Sequence, residues 1–498
     1  MRKISLIGIL FLVVTGTGIA EAETNTVRQM TLQECVQLAL ANNFDIQIER
    51  FNPQIAGFNY ERLRGVYYDP VFDTTVLHSY NSREGGLNQN TGQPFPSSTS
   101  ESTTVSPGIT GVLPTGLTYD FAQNIAHRTG SSSGGPFDFY DSTTGVSMRQ
   151  PLLRNAWIDA GRQNIWIAKR DVKISEEAYR QQLMDIATRV EKAYYELIFA
   201  REQIKVQETA MQLAERLLQE NRRRVEVGAL APLDEKQAQS QYAKSRADLL
   251  TAKQQLLTKQ NDLKGLMSNN FREWRETIVL PTEKLIAIPE KFDLQESWRV
   301  GVAQRPELQR LRLDLEKRDI VLRYQHNQLF PALDLTGSYG RNGLANDFGG
   351  VLEDTKKGDN PNYTFGVVFS IPLSRRGPKN AYNATKAEKE QAILRYKKQE
   401  QDILVSIENA IGNAQNSFER VKASAEASGY AESALQAEQK KLESGKSTSF
   451  NVLQLQRDLT ERRSDEIRAL ADYNQALADI AFQEATTLER HHFSVSFK

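Results

Sequence analysis

Two patterns of apolar residues alternate along the chain. In the first, apolar residues recur every three or four positions through long, charged stretches, as at Val190, Tyr194 and Leu197. This spacing predicts α-helices with one apolar stripe. At 1.5 Å per residue the longest would reach ~110 Å, which is typical of coiled-coil packing and not of a compact domain. We predict four such helices, at residues 152–226, 233–268, 375–444 and 449–488.

The second pattern alternates between apolar and polar residues. Tyr363, Phe365 and Val367 alternate with Thr364 and Gly366. Period two predicts β-strands with one apolar face, and runs of about ten residues with aromatic ends are typical of membrane-spanning strands. An ordinary sandwich strand has the same pattern. The predicted strands lie at about 70–82, 103–150, 332–341 and 363–372, and polar loops lie at 81–102, 128–142 and 342–362.

The order of these elements occurs twice. Residues 31–34 (TLQE) align with residues 293–296 (DLQE), and at the same offset residues 43–46 align with residues 305–308. The pattern in each half predicts the same order: a short helix, a medium helix, a strand, a polar loop, a strand, a very long helix, a glycine turn and a long helix. We therefore predict two structural repeats. They lie at residues 23–290 and 291–490, and a C-terminal tail follows at 491–498.

Four prolines separate the predicted strands from the predicted helices. Pro70 and Pro331 lie where a helix becomes a strand, and Pro151 and Pro372 lie where a strand becomes a helix. Proline cannot continue a helix from the preceding turn but is tolerated at a helix start. These positions therefore predict direct transitions between helix and strand, without a loop that folds back.

The N-terminal residues have the composition of an export signal. Two basic residues precede an apolar run at residues 4–14, and a small-x-small cleavage site ends at Ala22. Because the run is too short to span a membrane, we expect a cleaved signal peptide at residues 1–22. An uncleaved anchor is the alternative. The mature protein is then exported.

Composition excludes several other classes of protein. The 498 residues include 62 Lys and Arg against 62 Asp and Glu, so zero net charge gives no electrostatic reason to bind nucleic acid. With 39% apolar residues and a mean hydropathy of −0.52, the chain is not a polytopic helical membrane protein. Taken alone, these numbers predict a large soluble protein. The single cysteine, Cys35, excludes an internal disulfide and is expected to be buried on the first helix.

The sequence lacks the residue patterns of catalysis and metal binding. It has no Gly-x-Ser-x-Gly nucleophile elbow and no phosphate-binding loop. The five histidines are scattered, and the pair His491 and His492 lacks the helical spacing of zinc ligands. We therefore expect no catalytic site, no metal site and no cofactor, and we do not expect an enzyme.

Short motifs at the predicted helix starts and turns carry a family resemblance. They are Leu32–Asn43, Arg305-Pro306-Glu307-Leu308, Ile371-Pro372-Leu373 and the hairpins at 224–234 and 442–453. In this order and duplication, over about residues 31–488, the chain resembles the TolC family of outer-membrane efflux proteins. The resemblance implies a mainly α fold with a β-barrel part: a long periplasmic α-helical barrel and a trimeric transmembrane β-barrel. A homotrimer agrees with the physics, because unpaired strand edges cannot face lipid.

The resemblance also implies a function and partners. It implies a passive exit duct in the cell outer membrane, with a periplasmic extension, that opens at its periplasmic end. The duct would serve a tripartite efflux or type I secretion system. Its partners would be two further copies in a homotrimer, a periplasmic adaptor protein, an inner-membrane transporter and outer-membrane lipid, without nucleic acid. The alternative is an exported coiled-coil structural or adhesin-like surface protein, against which the strands with aromatic ends argue.

Two predicted hairpin tips are candidate docking sites for the adaptor, although helix capping explains the same residues. Ser449 is a candidate N-cap of the helix after the second tip. The tip residues are Val227, Gly228, Ala229 and Leu230, and Ser444, Gly445, Lys446 and Ser447.

Two departures from the family pattern are visible. The periplasmic pore constriction maps onto Asp234, Asn451 and Gln454, and the last two are uncharged where some members have acidic residues. The acid-lined constriction of those members is therefore not implied here. The family's usual four strands per subunit would leave residues 103–126 as an extracellular or rim hairpin. If this hairpin joins the barrel, the strand count rises.

Overall fold

The chain forms two compact units. The computed structural model describes residues 26–87, 89–94, 96–132 and 135–493, so the predicted signal peptide at residues 1–22 lies outside the described residues, as does 494–498 of the predicted tail. Of the described residues, the helical unit comprises 26–43, Arg189–Pro289 and Asn416–Gln475. The sheet unit comprises those within Phe44–Thr188 and Glu290–Gln415, together with 476–493.

Strands and helices alternate through the described residues. The strands are β1 (Thr26–Met30), β2 (Val71–Arg83), β3 (Ser98–Val112), β4 (Thr118–Ser132), β5 (Gly135–Pro151), β6 (Thr277–Pro281), β7 (Ala332–Ala345) and β8 (Pro361–Ser370). The helices are α1 (Leu32–Asn42), α2 (Phe44–Glu49), α3 (Phe51–Tyr68), α4 (Ala160–Glu226), α5 (Pro232–Met267), α6 (Phe271–Trp274), α7 (Leu294–Gln304), α8 (Pro306–Asn327), α9 (Phe348–Lys357), α10 (Arg376–Glu443), α11 (Ser449–Gln483) and α12 (Thr487–Arg490). None of these described helices is both long enough and apolar enough to cross a membrane.

The sheet unit contains one antiparallel sheet in the order β2-β3-β4-β5-β7-β8. Of the two alternatives left open for residues 103–126, the structure favours the second, because β3 and β4 lie inside this sheet and not at its rim. Val76 pairs with Val105, and Ile125 pairs with Ser142. β3 pairs with β2 and β4, and β4 pairs with β3 and β5, so the hydrogen-bond ladder continues through both inserted strands. The chain therefore contributes six strands to this sheet, where the family's usual number is four.

Two of the predicted polar loops contain regular structure. Residues 128–142 are mostly strand, since β4 continues to Ser132 and β5 begins at Gly135. Residues 342–362 contain α9, whose start is capped by the Asp347 carboxylate accepting from the Gly350 N–H at 2.9 Å. Gly358 ends this helix with φ 77°.

Two long helices differ from the predicted bounds. The helix α4 begins at Ala160 and not at residue 152, because the Asp159 carboxylate accepts from the Arg162 N–H at 2.9 Å and caps the helix there. The helix α11 ends at Gln483 and not at residue 488, because Ala485 has a φ of 61°. A left-handed residue of this kind terminates a right-handed helix.

The helical unit has thin apolar seams between long helices. Leu217 of α4 packs in one cluster with Leu435 of α10 and Leu453 of α11. Tyr194 is fully buried and donates to the Met30 carbonyl at 3.0 Å, next to the parallel pair β1 and β6. Cys35 is buried on α1, as expected, and burial raises the pKa of its thiol to about 12.

Both halves of the chain contain equivalent elements of nearly equal length. The helices α4 and α10 have 67 and 68 residues, and α5 and α11 have 36 and 35. Thr31 caps α1 and Asp293 caps α7 at aligned positions. The repeat boundary between residues 290 and 291 stays a prediction.

Candidate channel and docking sites

The six-stranded sheet has one exposed apolar face. Directly paired residues share a face, so Phe121, Val146 and Tyr339 lie together on it. Its large side chains are open to the surroundings, up to 81% for Phe365. Others on this face are Phe72, Val76, Ile109, Leu335, Val367 and Phe369. An apolar patch of this extent marks a surface that contacts lipid or protein.

The opposite face of the sheet is mostly polar. Asp120, Ser147, Ser338 and Thr364 follow one another across four strands on this face. The face borders a cavity of about 580 Å³ whose lining reaches from β2 at one edge of the sheet to β8 at the other. The sheet therefore curves around its polar face, and the apolar face is the convex one.

Both edges of the sheet are exposed. Every residue of β2 is solvent-exposed, as is most of β8, and each strand pairs on one side only among the described residues. Because six antiparallel strands alternate in direction, β2 and β8 run in opposite directions. Edges of this kind are templates for pairing with another strand.

The four predicted transition prolines lie at or next to strand ends. Pro70 and Pro331 immediately precede β2 and β7. Pro151 is the last residue of β5 and Pro372 follows β8, but neither lies in the first turn of the next helix. The prediction of a direct strand-to-helix switch is therefore wrong at these two positions, because short non-helical segments intervene.

The segment between β5 and α4 is held by a hydrogen-bond network around Arg162. Its side chain is 6% exposed and donates to Asp159 at 2.7 Å and to the Asn155 carbonyl at 2.6 Å. Tyr67 of α3 donates to the same carboxylate at 2.6 Å. Although burial opposes it, the hydrogen bonds from Tyr67 and Arg162 hold the pKa of Asp159 below its ordinary value. No sequence pattern predicts this network, because Tyr67 is distant in sequence from Arg162 and no motif marks the set.

The two hairpin tips have the same backbone structure. Gly228 and Gly445 have φ of 75° and 74°. The Gly228 N–H donates to the Val225 carbonyl at 3.0 Å, and the Gly445 N–H donates to the Leu442 carbonyl at 3.1 Å. In each tip the next N–H donates to the carbonyl five residues earlier, which completes a Schellman motif. Capping thus explains both glycines without a partner.

Most of the predicted tip residues are accessible. The Val227 side chain is 78% exposed, and a Cβ added to Gly228 or Gly445 would meet no atom within 4 Å. Leu230 and Ser447 are half-buried, and the Ser447 hydroxyl donates to Glu438 at 2.5 Å. The remaining exposed residues are Ala229, Ser444 and Lys446.

Asn221 joins the two hairpins near their tips. Its side chain is buried, donates to the Asp234 carbonyl at 3.4 Å and accepts from the Ser449 hydroxyl at 2.9 Å. The prediction that Ser449 is the N-cap of α11 is wrong, because Ser449 is already the first helical residue and its hydroxyl is bonded to Asn221. The starts of α5 and α11 therefore meet at one buried amide.

The predicted constriction residues lie on these two helix starts. Asp234 is half-buried in the first turn of α5, where a carboxylate is also favoured by the helix dipole. Asn451 and Gln454 lie one turn apart on the exposed side of α11, and Val452 and Leu453 between them are buried. The structure thus gives Asn451 and Gln454 a common face.

Farther along the helical unit, Glu196 of α4 connects three helices. It accepts from Arg468 and from Gln475 of α11, each at 2.7 Å, and lies 3.3 Å from Lys259 of α5. Although burial opposes it, the hydrogen bonds from Gln475 and Arg468 hold the pKa of Glu196 below its ordinary value. No group of three or more His, Cys, Asp or Glu in the described part of the chain is placed to hold a metal.

Comparisons with known proteins agree with these features. The sequence matches the family described as outer membrane efflux protein over residues 124–269 and 302–482. It is 24% identical to the outer membrane protein TolC of Vibrio cholerae, over 69% of this chain and 78% of that protein. It is 26% identical to the cobalt-zinc-cadmium resistance protein CzcC of Cupriavidus metallidurans, over 61% of this chain and 67% of that protein. The fold is similar to the Campylobacter jejuni CmeC outer membrane channel, with a TM-score of 0.66, 15% identity and coverage of 98% and 94%.

Proposed function

This chain belongs to the outer membrane efflux protein family, and we propose that it acts as a passive exit duct closed by three copies of itself. It is an outer-membrane channel protein of the efflux class. The proposed duct has no energy source of its own. An inner-membrane transporter supplies the energy, and a periplasmic adaptor connects the two, in an efflux or type I secretion assembly.

The open, curved sheet is the observation that carries this proposal. Its convex apolar face suits lipid, its concave polar face suits a water-filled lumen, and its two edges are exposed. Lipid offers no partner to edge N–H and C=O groups, so the sheet must close. Since β2 and β8 run in opposite directions, β8 of one copy can pair antiparallel with β2 of the next. With six strands per copy, three copies give eighteen strands.

Cysteine cross-linking across the sheet edges tests this closure. In a Cys35→Ser background, Ser79→Cys on β2 is combined in turn with Asn362→Cys, Thr364→Cys or Val368→Cys on β8, and a thiol cross-linker is added. We expect covalent trimers for at least one pair. The matched control replaces Ser79→Cys with Ser102→Cys and keeps the same β8 partners. Ser102 pairs with Ser79 but lies on the interior strand β3, so this control should give no covalent trimers. A complete absence of trimers from the β2 pairs would contradict closure through these edges.

The adaptor is proposed to dock on the two hairpin tips. Support comes from their exposure and from their shared backbone structure, which presents two similar surfaces. We expect Val227→Asp together with Lys446→Glu to weaken site-specific cross-linking to the adaptor in cells. Leu257→Asp, an exposed position in the body of α5, is the control. Unchanged cross-linking by an intact trimer would remove the tips from the interface.

The starts of α5 and α11 are proposed to line the periplasmic opening. In planar bilayers with a KCl gradient, we expect Asn451→Asp with Gln454→Asp to shift the reversal potential toward cation selectivity. Asp234→Asn should shift it the other way, because a ring of fixed charge concentrates counter-ions. If neither substitution moves the reversal potential while Asp120→Asn on the polar face of the sheet does, selectivity is set within the sheet.

A further inference from the structure

The helix α9 lies on the convex apolar face of the sheet. Phe348 makes an edge-to-face contact with Tyr140 of β5, with ring centroids 6.3 Å apart. Thr355 is buried and hydrogen-bonds Ser142 of the same strand. Gly343 of β7 permits the close approach, since a Cβ there would lie 2.7 Å from the Val351 carbonyl. The helix is therefore seated on the sheet and is not a free loop.

A cavity of about 390 Å³ lies between α9 and the sheet. Phe121, Val146 and Tyr339 contribute its sheet side, and Leu352 contributes from the helix. Gln123 and Thr144 add polar groups to the sheet side, but most of the lining surface is apolar. A space of this size with a mainly apolar lining accommodates part of an acyl chain. Its opening faces the surface on which lipid packs in the proposed barrel.

Two cations border this apolar space. Arg341 of β7 and Lys356 of α9 both line the cavity, and the Arg341 guanidinium donates to the Lys356 carbonyl at 3.5 Å. Neither carboxylate of α9 lines the cavity, and Asp354 accepts a hydrogen bond from the Leu344 N–H at 3.0 Å. Among the described residues the cavity therefore combines a mainly apolar interior with a rim that carries two cations and no carboxylate.

The position along the strand matches the outer boundary of a membrane. Arg341 lies nine residues beyond Ala332, the first residue of β7, which corresponds to about 30 Å of strand. At the usual strand tilt this spans a height comparable with the ~25 Å apolar band of outer-membrane barrels. The long helices join the opposite end of the sheet, so in the proposed orientation the two cations lie at the level of the outward-facing lipid headgroups.

We propose that α9 and the sheet form a binding site for an acylated, phosphate-bearing lipid of the outer leaflet. An acyl chain enters the cavity beside Leu352 and Val146, and a phosphate contacts Arg341 and Lys356. The guanidinium supplies several donors in a plane, and the lysine adds a mobile ammonium. This proposal rests on the proposed orientation of the sheet in the membrane.

Helix capping is the competing explanation for the charges. Lys356 and Lys357 both lie in the last turn of α9, where cations stabilise the helix dipole. The two lysines nevertheless differ, because only Lys356 lines the cavity. Lys357 therefore serves as a control with the same charge and nearly the same distance from the helix end.

Native mass spectrometry of the detergent-purified, full-length protein tests the site. Lipid A, zwitterionic phosphatidylethanolamine and inorganic phosphate are added separately, and bound molecules are counted per polypeptide. We expect the protein to retain lipid A in preference to the other two. Arg341→Gln with Lys356→Gln should weaken retention about tenfold or more, and Lys357→Gln should leave it unchanged. Leu352→Trp, which fills the cavity without changing charge, should also weaken retention.

Specific outcomes would overturn the proposal. If Lys357→Gln weakens lipid A retention as much as Arg341→Gln with Lys356→Gln does, the effect comes from overall positive charge and not from this site. Equal retention of phosphatidylethanolamine would show that the site does not distinguish the anionic phosphates of lipid A from a zwitterionic headgroup. Equal retention of inorganic phosphate would show that the acyl chains do not contribute to binding. Because binding is counted per polypeptide, failure of trimer closure in the cross-linking experiment is distinguishable from failure of this site.

Discussion

The two repeats differ chiefly in what connects their strands. In the first half, the hairpin β3–β4 lies between β2 and β5; in the second half, α9 lies between β7 and β8. The flanking helices are almost equal in length. The same scaffold therefore accepts two kinds of insertion: strands widen the sheet, whereas a helix covers part of its convex face.

Removal of the β3–β4 insertion should have the largest effect. Deleting residues 84–134, which joins Arg83 to Gly135, leaves four strands per chain in the order β2-β5-β7-β8. Because barrel diameter grows roughly linearly with strand number, we expect the trimer's barrel to narrow by about a third. Electron cryomicroscopy of the trimer in nanodiscs measures the diameter. Replacing α9 with a short Gly-Ser turn is the control, and an unchanged diameter in the β3–β4 deletion would place that hairpin outside the ring.

The second largest difference between the repeats is expected in how strongly each junction between a strand and a long helix contributes to stability. Arg162→Ala should destabilise the protein by about 2 kcal/mol, because it removes the charged hydrogen bonds to the half-buried Asp159 carboxylate and to the Asn155 carbonyl. Arg376→Ala, at the exposed start of α10, should change stability by less than about 0.5 kcal/mol. Urea unfolding followed by circular dichroism compares them. Similar midpoints for both variants would mean that the first junction is not held by its buried network.

The hairpin tips are where the repeats should behave alike. Gly228→Ala and Gly445→Ala should each cost about 1 kcal/mol, because both glycines have left-handed φ. Gly412→Ala, in the interior of α10 with no atom within 4 Å of an added Cβ, should instead stabilise by about 0.5–1 kcal/mol. Thermal unfolding provides the measurement. A marked difference between the two tip variants would show that one tip bears additional contacts.

The smallest effect concerns acid stability of the helical unit. The pKa of Glu196 is lowered in the folded protein, so its ionised form stabilises the fold above the ordinary glutamate pKa. This contribution disappears as the pH falls through the lowered pKa. We expect Glu196→Gln to reduce the loss of stability between neutral and acidic pH, measured by urea midpoints at several pH values. A parallel pH profile would assign acid sensitivity to other carboxylates.

Local patterns predicted much of the fold. Period-two alternation at residues 363–367 predicted β8, and helical spacing around Tyr194 predicted α4. Gly228 and Gly445 marked both helix ends, because few residues other than glycine adopt their φ. The family resemblance identified the channel class, and the matched family model confirms it. By contrast, the sequence of α9 predicts a loop, because this short helix buries only Val351 and Thr355.

The sequence by itself determined the periodicity, the duplication and the low apolar content, since these depend on neighbouring residues and on composition. A large soluble protein was the wrong conclusion from that composition, because exposed apolar residues are concentrated on one face of a short sheet. Only the tertiary structure decided that β3 and β4 join this sheet, that Arg162 organises one junction and that Asn221 joins the two hairpins. The physical reason is that strand register and buried hydrogen bonds connect residues far apart in sequence, where local periodicity carries no information.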